Sequence, residues 1–437
     1  MNGIRIRLAA LLLCAAALAC GPARAQAAPA IGEAAATAPA GDGGDHQLLV
    51  MLRLPAAHYR PDASYGGRYI DDSGRAARHR RAEALARQHA LTLVDDWPMP
   101  VLGLDCYVMR YADSDNAERV IALLSRDPQV EWAQPVARFS GMGADAPSAS
   151  AGADALYPVQ PAARYWHVAE LHRYTTGRAI KVAVIDSGVD AVHPDLQGQL
   201  ADNANFVDAA AAPAENHGTA VAGIIAARAG NGGIVGVAPQ ARLMGLRACW
   251  QLPDLATRCN SFTLAKAINY AILNGAQVIN LSLSGPSDRL LDRLLDIALE
   301  RGIGVVGAVD AQAAGPTFPA SHRGVLAVAS QAPNGAPGAA AAAGALLAPG
   351  NDIPAPAPGG RWSFVSGSSY AAAHVSGMLA LLDQLQPGAT PAQLRALLQP
   401  AAANTGNIDA CAAISRLVRN CGCACPAGIL TQRSTRP

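Results

Sequence analysis

The chain has 437 residues, of which 51% are hydrophobic and 15% charged, and its formal net charge is +1. This length and composition are typical of a folded protein of about two domains and exclude a chain that is disordered throughout. A net charge so close to zero provides no large field that would attract nucleic acid or an anionic membrane, so we expect neither as a partner. Nothing in the composition demands more than a monomer.

The first 25 residues have the pattern of a secretory signal peptide. A basic start, M-N-G-I-R-I-R, precedes an apolar run that is too short to span a bilayer comfortably, and Ala23 and Ala25 have the spacing that signal peptidase reads. We therefore predict cleavage after Ala25 and export to a periplasm or to the medium. Lipidation at Cys20 is the alternative. No later apolar run is long enough for a transmembrane segment.

Two stretches rich in Ala, Gly and Pro, at residues 26–45 and 140–154, are interpreted as linkers. The 46–139 region between them alternates strand-like and helix-like runs. This pattern predicts a small α+β unit that carries no nucleophile or metal set of its own. Its strands are predicted near 47–54, 105–111 and 127–136, and its helices near 75–89 and 116–126.

Residues 155–416 alternate buried strand-like runs with helical ones, which predicts an α/β domain: a mainly parallel sheet covered by helices on both faces. Strands are predicted at 180–185, 276–283 and 303–309, and helices from His217, Thr263 and Asp288. Functional groups of such sheets gather at the carboxyl ends of the strands. Asp186 directly follows the first of these strands, so its position suits a catalytic acid.

Three motifs supply an acid, a base and a nucleophile: Asp186 in V-A-V-I-D-S-G, His217 in N-H-G-T-A-V-A-G and Ser369 in S-G-S-S-Y-A-A-A-H-V-S-G. A serine hydroxyl is a weak nucleophile, and it needs an imidazole to take its proton and a carboxylate to fix the tautomer of that imidazole. The order Asp, His, Ser is one of the chain orders in which this triad is built. We expect a peptide-bond hydrolase without an organic cofactor.

With these motifs, and with H-P-D-L, G-V-A-P and A-Q-V-I-N-L-S-L-S-G-P, residues 160 to 416 resemble the subtilisin-like serine peptidases, or subtilases. The resemblance implies a three-layer domain with Asp186, His217 and Ser369 as its triad, acting on proteins or peptides through an acyl-enzyme. It also implies that one extended segment pairs with substrate backbone and walls the main specificity pocket. That segment consists of Ser282, Leu283, Ser284 and Gly285.

The resemblance extends upstream, where residues 46–139 are similar to the propeptide of the family, a folding aid and temporary inhibitor. We expect the chain to cut itself between Phe139 and Leu156, within the processing linker 140–154.

One departure from the family pattern concerns the oxyanion. Where the family usually has A-A-G-N, this chain reads G-V-V-G-A-V-D-A-Q, so that Asp310 or Ala311 takes the place of the asparagine donor. An ionised Asp310 cannot donate a hydrogen bond, whereas a protonated one can. Two hypotheses follow: a working endopeptidase, or a low-activity or pseudo-peptidase that binds polypeptide or regulates. A lipid-anchored processing enzyme with few targets is a third, dependent on Cys20.

Six cysteines are expected to remain after processing, because Cys14 and Cys20 leave with the signal and Cys106 with the propeptide. An exported chain with an even number suggests disulfides, and Cys249 and Cys259 bracket one loop. The other four lie near the end, partly in a Cys-rich tail at 417–437, and disulfides are favoured there over a metal site. They are Cys411, Cys421, Cys423 and Cys425.

Three further residues near these motifs are judged by their surroundings. Asp195, in H-P-D-L, matches a calcium ligand of some subtilases, although the partner loop A-G-N-G-G-I-V is a loose match. We expect no metal, with calcium as the alternative. His374 is expected to be a structural helix residue. Tyr370 is bulky and is expected to reach the pocket on the leaving-group side.

Overall fold

The computed structural model of the chain describes residues 46–53, 72–149, 154–331, 344–399 and 407–418. The signal peptide, the linker at 26–45 and the end of the Cys-rich tail lie outside these ranges. The part of the chain that is described contains no helix long and apolar enough to cross a membrane.

The first unit is a four-stranded antiparallel sheet, in the order β2-β3-β1-β4, with two helices. Its elements are β1 (Gln47–Arg53), α1 (Asp72–Gln88), β2 (Thr92–Met99), β3 (Leu104–Arg110), α2 (Ala117–Leu124) and β4 (Val130–Pro135).

Both faces of this first sheet are covered, which explains why β1 is almost uniformly apolar. On one face Leu48 and Val50 pack with Leu85 of α1 and Leu124 of α2. On the other face Leu49 and Met51 belong to a core cluster that they share with the larger domain. Alternate residues of a strand point to opposite faces, so one short strand serves both cores.

The larger domain is built on seven parallel strands in the order β16-β15-β14-β12-β7-β9-β8. The strands are β7 (Lys181–Asp186), β8 (Leu200–Asn205), β9 (Arg242–Arg247), β12 (Val278–Leu281), β14 (Gly304–Ala308), β15 (Leu326–Ser330) and β16 (Leu346–Ala348).

Helices cover both faces of this parallel sheet. Val182 and Val184 of β7 pack with α5 (Asn216–Ala226) and α8 (Ser368–Leu385). Ala183 and Ile185 of the same strand pack with α6 (Ser261–Leu273) and α7 (Arg289–Glu300). The predicted three-layer α/β fold is therefore confirmed. Shorter helices complete the domain: α3 (Pro161–Tyr165), α4 (Val168–Leu171), α9 (Pro391–Leu398) and α10 (Ala410–Ser415).

Two smaller sheets include the segment that we interpreted as a linker. One has the order β10-β11-β5-β13 and the other the order β17-β18-β6. Both β5 and β6 come from the junction after the first unit, so this junction has regular backbone pairing that its composition did not indicate. The strands are β5 (Arg138–Gly141), β6 (Ala144–Ala149), β10 (Cys249–Gln251), β11 (Thr257–Asn260), β13 (Leu283–Ser284), β17 (Ile353–Ala357) and β18 (Arg361–Ser366).

The predicted disulfide between Cys249 and Cys259 is confirmed, and it joins the paired residues of β10 and β11. Cys106 is a buried free thiol in β3. Cys411 also takes part in a disulfide. Cys421, Cys423 and Cys425 lie outside the described residues, so their pairing stays a prediction.

Candidate active site

The candidate acid and base lie next to each other at the carboxyl edge of the parallel sheet. Asp186 is the last residue of β7, and His217 is the second residue of α5. The Nδ1–H of His217 donates to Oδ1 of Asp186 at 2.8 Å, and both side chains are buried. A carboxylate bound at Nδ1 fixes the tautomer in which Nε2 is able to accept a proton.

Small residues allow the strand end and the helix to approach so closely. A Cβ atom at Gly218 would overlap the backbone oxygen of Ser187, while the N–H of Gly218 donates to the Ser187 hydroxyl at 3.0 Å. The H-G-T motif therefore requires its glycine for space, in the turn that carries His217.

Ser369 is the second residue of α8 and is fully buried. Its hydroxyl donates to the carbonyl of Ser282 at 2.9 Å and accepts the N–H of Met142 at 3.0 Å. Its backbone N–H donates to the carbonyl oxygen of Met142 at 3.1 Å. A segment of the same chain therefore lies directly on the candidate nucleophile.

This segment, residues 138–142, which we call the cleft strand, lies between β11 and β13. Arg138, Phe139 and Ser140 pair with β11, while Ser140 and Gly141 pair with β13, both in antiparallel register. An extended peptide held between two strands by backbone hydrogen bonds is the general form of β-strand addition. The cleft thus contains a peptide in the geometry of a bound extended ligand.

All four residues expected to bind substrate backbone contact the cleft strand. Ser282 accepts the N–H of Met142 at 3.4 Å, Leu283 pairs with Gly141, and Ser284 pairs with Ser140. Gly285 is covered by the ring of Phe139, since a Cβ atom there would overlap this ring. The Phe139 side chain is buried, edge-on to Phe318 at 5.6 Å between ring centroids.

Gly367 brings the Met142 carbonyl close to the start of α8. Its φ is +149°, and a Cβ atom there would overlap the carbonyl oxygen of Met142. The backbone conformation and the contact both select glycine. The N-terminus of α8 is thus open to a carbonyl oxygen that gains negative charge.

A buried network that sequence reasoning missed holds the nucleophile from behind. Asn280 donates to the Ser282 hydroxyl at 2.9 Å, and this hydroxyl donates to the carbonyl of Ser369 at 2.9 Å. Ser376 donates to Oδ1 of Asn280 at 2.8 Å, which ties the network to α8 about two turns beyond Ser369. The only sequence signal for it was polar residues within apolar runs, N-L-S and H-V-S.

A second missed group is the buried ion pair of Glu215 with Arg247. Nε and one terminal nitrogen of Arg247 each donate to a different oxygen of Glu215 at 3.0 Å. Glu215 also accepts the N–H of Gly188 at 2.5 Å and is the residue before α5. The pair therefore braces both the loop after Asp186 and the helix start that carries His217.

Asp310 follows β14 and is half-buried beside the segment that pairs with the cleft strand. Its carboxylate accepts the N–H of Gln312 at 2.9 Å and the Ser284 hydroxyl at 3.3 Å. The Ser284 hydroxyl also lies 2.8 Å from Thr317 Oγ1. The described contacts of Asp310 are thus with Gln312 and Ser284, and the Met142 carbonyl takes its donor from the backbone of Ser369.

His374 does not join the candidate site. It is buried in α8, donates from Nδ1 to the Tyr370 carbonyl at 2.7 Å and lies edge-on to Trp166. Burial lowers the pKa of His374 to about 4, so the side chain is neutral at neutral pH.

Asp195 was the residue on which calcium depended. Its carboxylate accepts N–H groups from Gly233 at 3.1 Å and Ile234 at 3.2 Å, and the indole N–H of Trp362 at 2.6 Å. The hydrogens of these N–H groups point at the carboxylate from the side where a cation would need to lie. Ca²⁺ also requires six to eight oxygen ligands. The side chains here do not fit calcium, and the described residues contain no cluster of three or more acidic, His or Cys side chains suited to a metal.

The site combines a buried Asp–His pair with a serine at a helix N-terminus, and all three residues lie at the carboxyl edge of a parallel sheet. This arrangement defines a class of α/β proteins that carry the residues of a serine hydrolase. Comparison with protein families narrows this class. Residues 177–419 match the family described as the subtilase family, Peptidase_S8. The chain belongs to the subtilase family.

Individual relatives agree with this assignment. The chain is 36% identical over 279 residues to the thermophilic serine proteinase of Bacillus sp. (strain AK1), covering 61% of this chain and 66% of that protein. It is 35% identical over 244 residues to subtilisin E of Bacillus subtilis (strain 168), covering 53% of this chain and 62% of that protein. The chain thus spans less than two thirds of the length of these relatives.

A solved structure also shares the fold. The crystal structure of fervidolysin from Fervidobacterium pennivorans, a keratinolytic enzyme related to subtilisin, superposes with a TM-score of 0.63 at 21% identity. The superposition covers 85% of this chain and 61% of that one.

Proposed function

We propose that this chain is an exported serine endopeptidase, made as a zymogen that cuts its own bond between Met142 and Gly143. The observation that carries the proposal is the position of the Met142 carbonyl, which accepts the backbone N–H of Ser369 at 3.1 Å. A donor aimed at a carbonyl oxygen stabilises the charge that develops there during nucleophilic attack.

In the proposed reaction, Oγ of Ser369 attacks the carbonyl carbon of Met142 and its proton passes to Nε2 of His217. The hydroxyl turns from the Ser282 carbonyl toward His217 as this step begins. The hydroxyl oxygen lies 3.0 Å from the nitrogen of Met142, so it already contacts the residue whose carbonyl carbon it attacks. Asp186 holds the imidazole in the required tautomer.

The tetrahedral adduct then collapses. The bond between Met142 and Gly143 breaks, His217 gives its proton to the leaving amine of Gly143, and Met142 remains esterified to Ser369. Water attacks this ester with His217 as the base, which restores the hydroxyl of Ser369 and releases the carboxylate of Met142. Substrate proteins follow the same steps, with their backbone held by residues 282–285.

Residues 46–139 act, in this proposal, as folding aid and inhibitor. Their sheet packs against α6 and α7 through the shared core cluster. Arg289 and Arg293 lie 4.7 and 4.9 Å from the ring centroid of Trp132, and Gln134 donates to Asp288 at 2.9 Å. These contacts stabilise the unit in a position from which the cleft strand, which follows β4, fills the cleft.

A pseudo-peptidase is the second candidate. The observation that favours it is Asp310, a carboxylate that stands in the sequence where the family usually has the asparagine that donates to the oxyanion. Loss of one oxyanion donor costs subtilisin, a member of the same family, about 10²–10³ in turnover. This is a fraction of the total acceleration that such enzymes supply, and the donor from Ser369 is retained. We therefore expect peptidase activity that is reduced rather than absent.

Hydrolysis of an unfolded protein separates the two candidates. We expect the wild-type chain to release peptides from casein, and Ser369→Ala, which removes only the hydroxyl, to release none. If the two preparations are equally inactive while both are folded, the endopeptidase is excluded and the binding function takes its place. A comparison of cell, periplasmic and medium fractions tests export.

A further inference from the structure

Gly143, the first residue beyond the proposed cut, faces the ring of Tyr370. A Cβ atom on Gly143 would lie 2.6 Å from Cε2 of Tyr370 and 2.7 Å from its Cζ and Oη. Carbon atoms that are not bonded stay about 3.5–4.0 Å apart at their best separation, so any side chain at this position collides with the ring. The φ of Gly143 is not positive, so space, rather than backbone conformation, requires glycine here.

The ring of Tyr370 is not free to move away. Tyr370 is fully buried in the first turn of α8, directly after the candidate nucleophile. Its ring centroid lies 5.5 Å from that of His217, and the two rings are tilted by 45°. A planar side chain packed in a core has no flexible end to yield, and displacing it would disturb the candidate base as well.

The residue before the proposed cut meets a different environment. Met142 is half-buried and packs against the apolar core cluster that includes Tyr370. In this backbone conformation the cleft accepts an apolar side chain at residue 142 and has no space for a Cβ atom at residue 143.

We propose that Tyr370 is a specificity-determining residue that restricts cleavage to bonds followed by glycine. This inference rests on the proposed endopeptidase function and narrows its substrates to proteins with an extended segment in which an apolar residue precedes glycine. The chain's own processing site, Met142–Gly143, fits the restriction.

Self-processing of the full-length chain tests the inference, with cleavage at residue 142 followed by mass spectrometry over time. We expect Gly143→Ala to slow this cleavage by about 10²-fold or more, or to move it to another bond, because the peptide no longer fits in the reacting geometry. In the Tyr370→Met background we expect the penalty for Gly143→Ala to shrink to less than about tenfold, because methionine is flexible and adapts to irregular space.

Tyr370→Phe is the matched control. It keeps the ring and removes only the hydroxyl, so the penalty for Gly143→Ala should persist. Equal rates for Gly143 and Gly143→Ala in the wild-type background would overturn the restriction, and an undiminished penalty in the Tyr370→Met background would overturn the role of Tyr370.

A peptide series supplies an independent readout if Tyr370→Met does not fold. Peptides with the sequence F-S-G-M followed by Gly, Ala or Ser are offered to the mature wild-type enzyme, and selective hydrolysis of the glycine peptide is expected. Equal hydrolysis of all three contradicts the inference and leaves the endopeptidase function intact. Absence of cleavage in every variant and peptide would instead reject the proposed function itself.

Discussion

The backbone N–H of Ser369 donates a hydrogen bond to the carbonyl oxygen of Met142 at 3.1 Å. This contact selects one peptide bond of the chain, and it supplies a donor that depends on the backbone of α8 rather than on any side chain. The usual asparagine of the family is therefore not needed for the carbonyl to be bound, although its absence is expected to lower turnover.

The first prediction concerns Asp310. Among the described contacts the side chain of Asp310 reaches Gln312 and Ser284, whereas the Met142 carbonyl is bound by Ser369. We therefore expect an asparagine at this position to keep these contacts, and Asp310→Asn to change turnover by less than about tenfold, below the effect of one oxyanion donor, which is about 10²–10³-fold. The measurement is kcat of the mature enzyme from pH 5 to 9. The control is Asp296→Asn in α7, where the aspartate side chain is 62% exposed. A wild-type rate that falls with rising pH, beside a flat Asp310→Asn profile, would instead show that a protonated Asp310 donates.

The buried pair of Glu215 with Arg247 is predicted to contribute strongly to stability. Glu215→Gln removes the buried carboxylate from the Arg247 charge, and we expect the free energy of unfolding to fall by about 3–5 kcal/mol. Asp208 also pairs with Arg247, at 3.1 Å, but its side chain is 40% exposed. Asp208→Asn is therefore the matched control, with an expected loss below about 1 kcal/mol.

Urea unfolding of both variants in the Ser369→Ala background, which prevents self-digestion, measures this difference. Equal losses for Glu215→Gln and Asp208→Asn would contradict the bracing role of the buried pair.

The Asp195 site is predicted to be independent of calcium, because N–H groups already satisfy the carboxylate. We expect a chelator to leave the unfolding midpoint of the wild type unchanged. Trp362→Phe removes one buried donor and should lower the free energy of unfolding by about 1–3 kcal/mol. A chelator effect that calcium reverses in the wild type and that is missing in Asp195→Asn would be evidence for a cation at this site.

The lowered pKa of His374 predicts that the stability of the protein depends on pH. Burial lowers its pKa to about 4 from an unfolded value of about 6.5, so the unfolded chain binds the extra proton between these two values. The contribution of this residue to stability is therefore complete above about pH 6.5 and falls with decreasing pH, by up to about 1.4 kcal/mol per unit, until about pH 4.

Denaturant unfolding at several pH values checks this slope. His374→Asn keeps a donor near the Tyr370 carbonyl and removes the titration, so the slope between pH 4 and 6.5 should become smaller than in the parent. His172, whose pKa is also lowered by burial, is expected to keep part of the slope in both proteins. Identical slopes would exclude His374 as a source.

The parts of the fold with a strong local pattern were predictable from sequence. The apolar run that forms β7 and the motifs around Asp186, His217 and Ser369 led to the correct layers, because buried parallel strands and helix starts have clear local signals. Strand β2 was missed, since D-D-W-P breaks the alternation. Strand β17 contains Pro354 and Pro356, which an edge strand tolerates and a pattern search rejects.

What the sequence did not reveal is mostly long-range pairing. The cleft strand is short and has no alternating pattern, and it becomes a strand because β11 and β13 lie on either side of it. The partners of Asp195 and Glu215, Trp362 and Arg247, lie 167 and 32 residues away along the chain. Side-chain identity at such distances has no local periodicity from which a contact could be inferred.

Intact mass of the purified export form, wild type beside Ser369→Ala, tests the central claim most directly, with the new N-terminus sequenced. We predict that only the wild type shortens and that its mature chain begins at Gly143. If both proteins stay full length although folded, or if both shorten alike, the chain does not cut its own Met142–Gly143 bond and the account is contradicted.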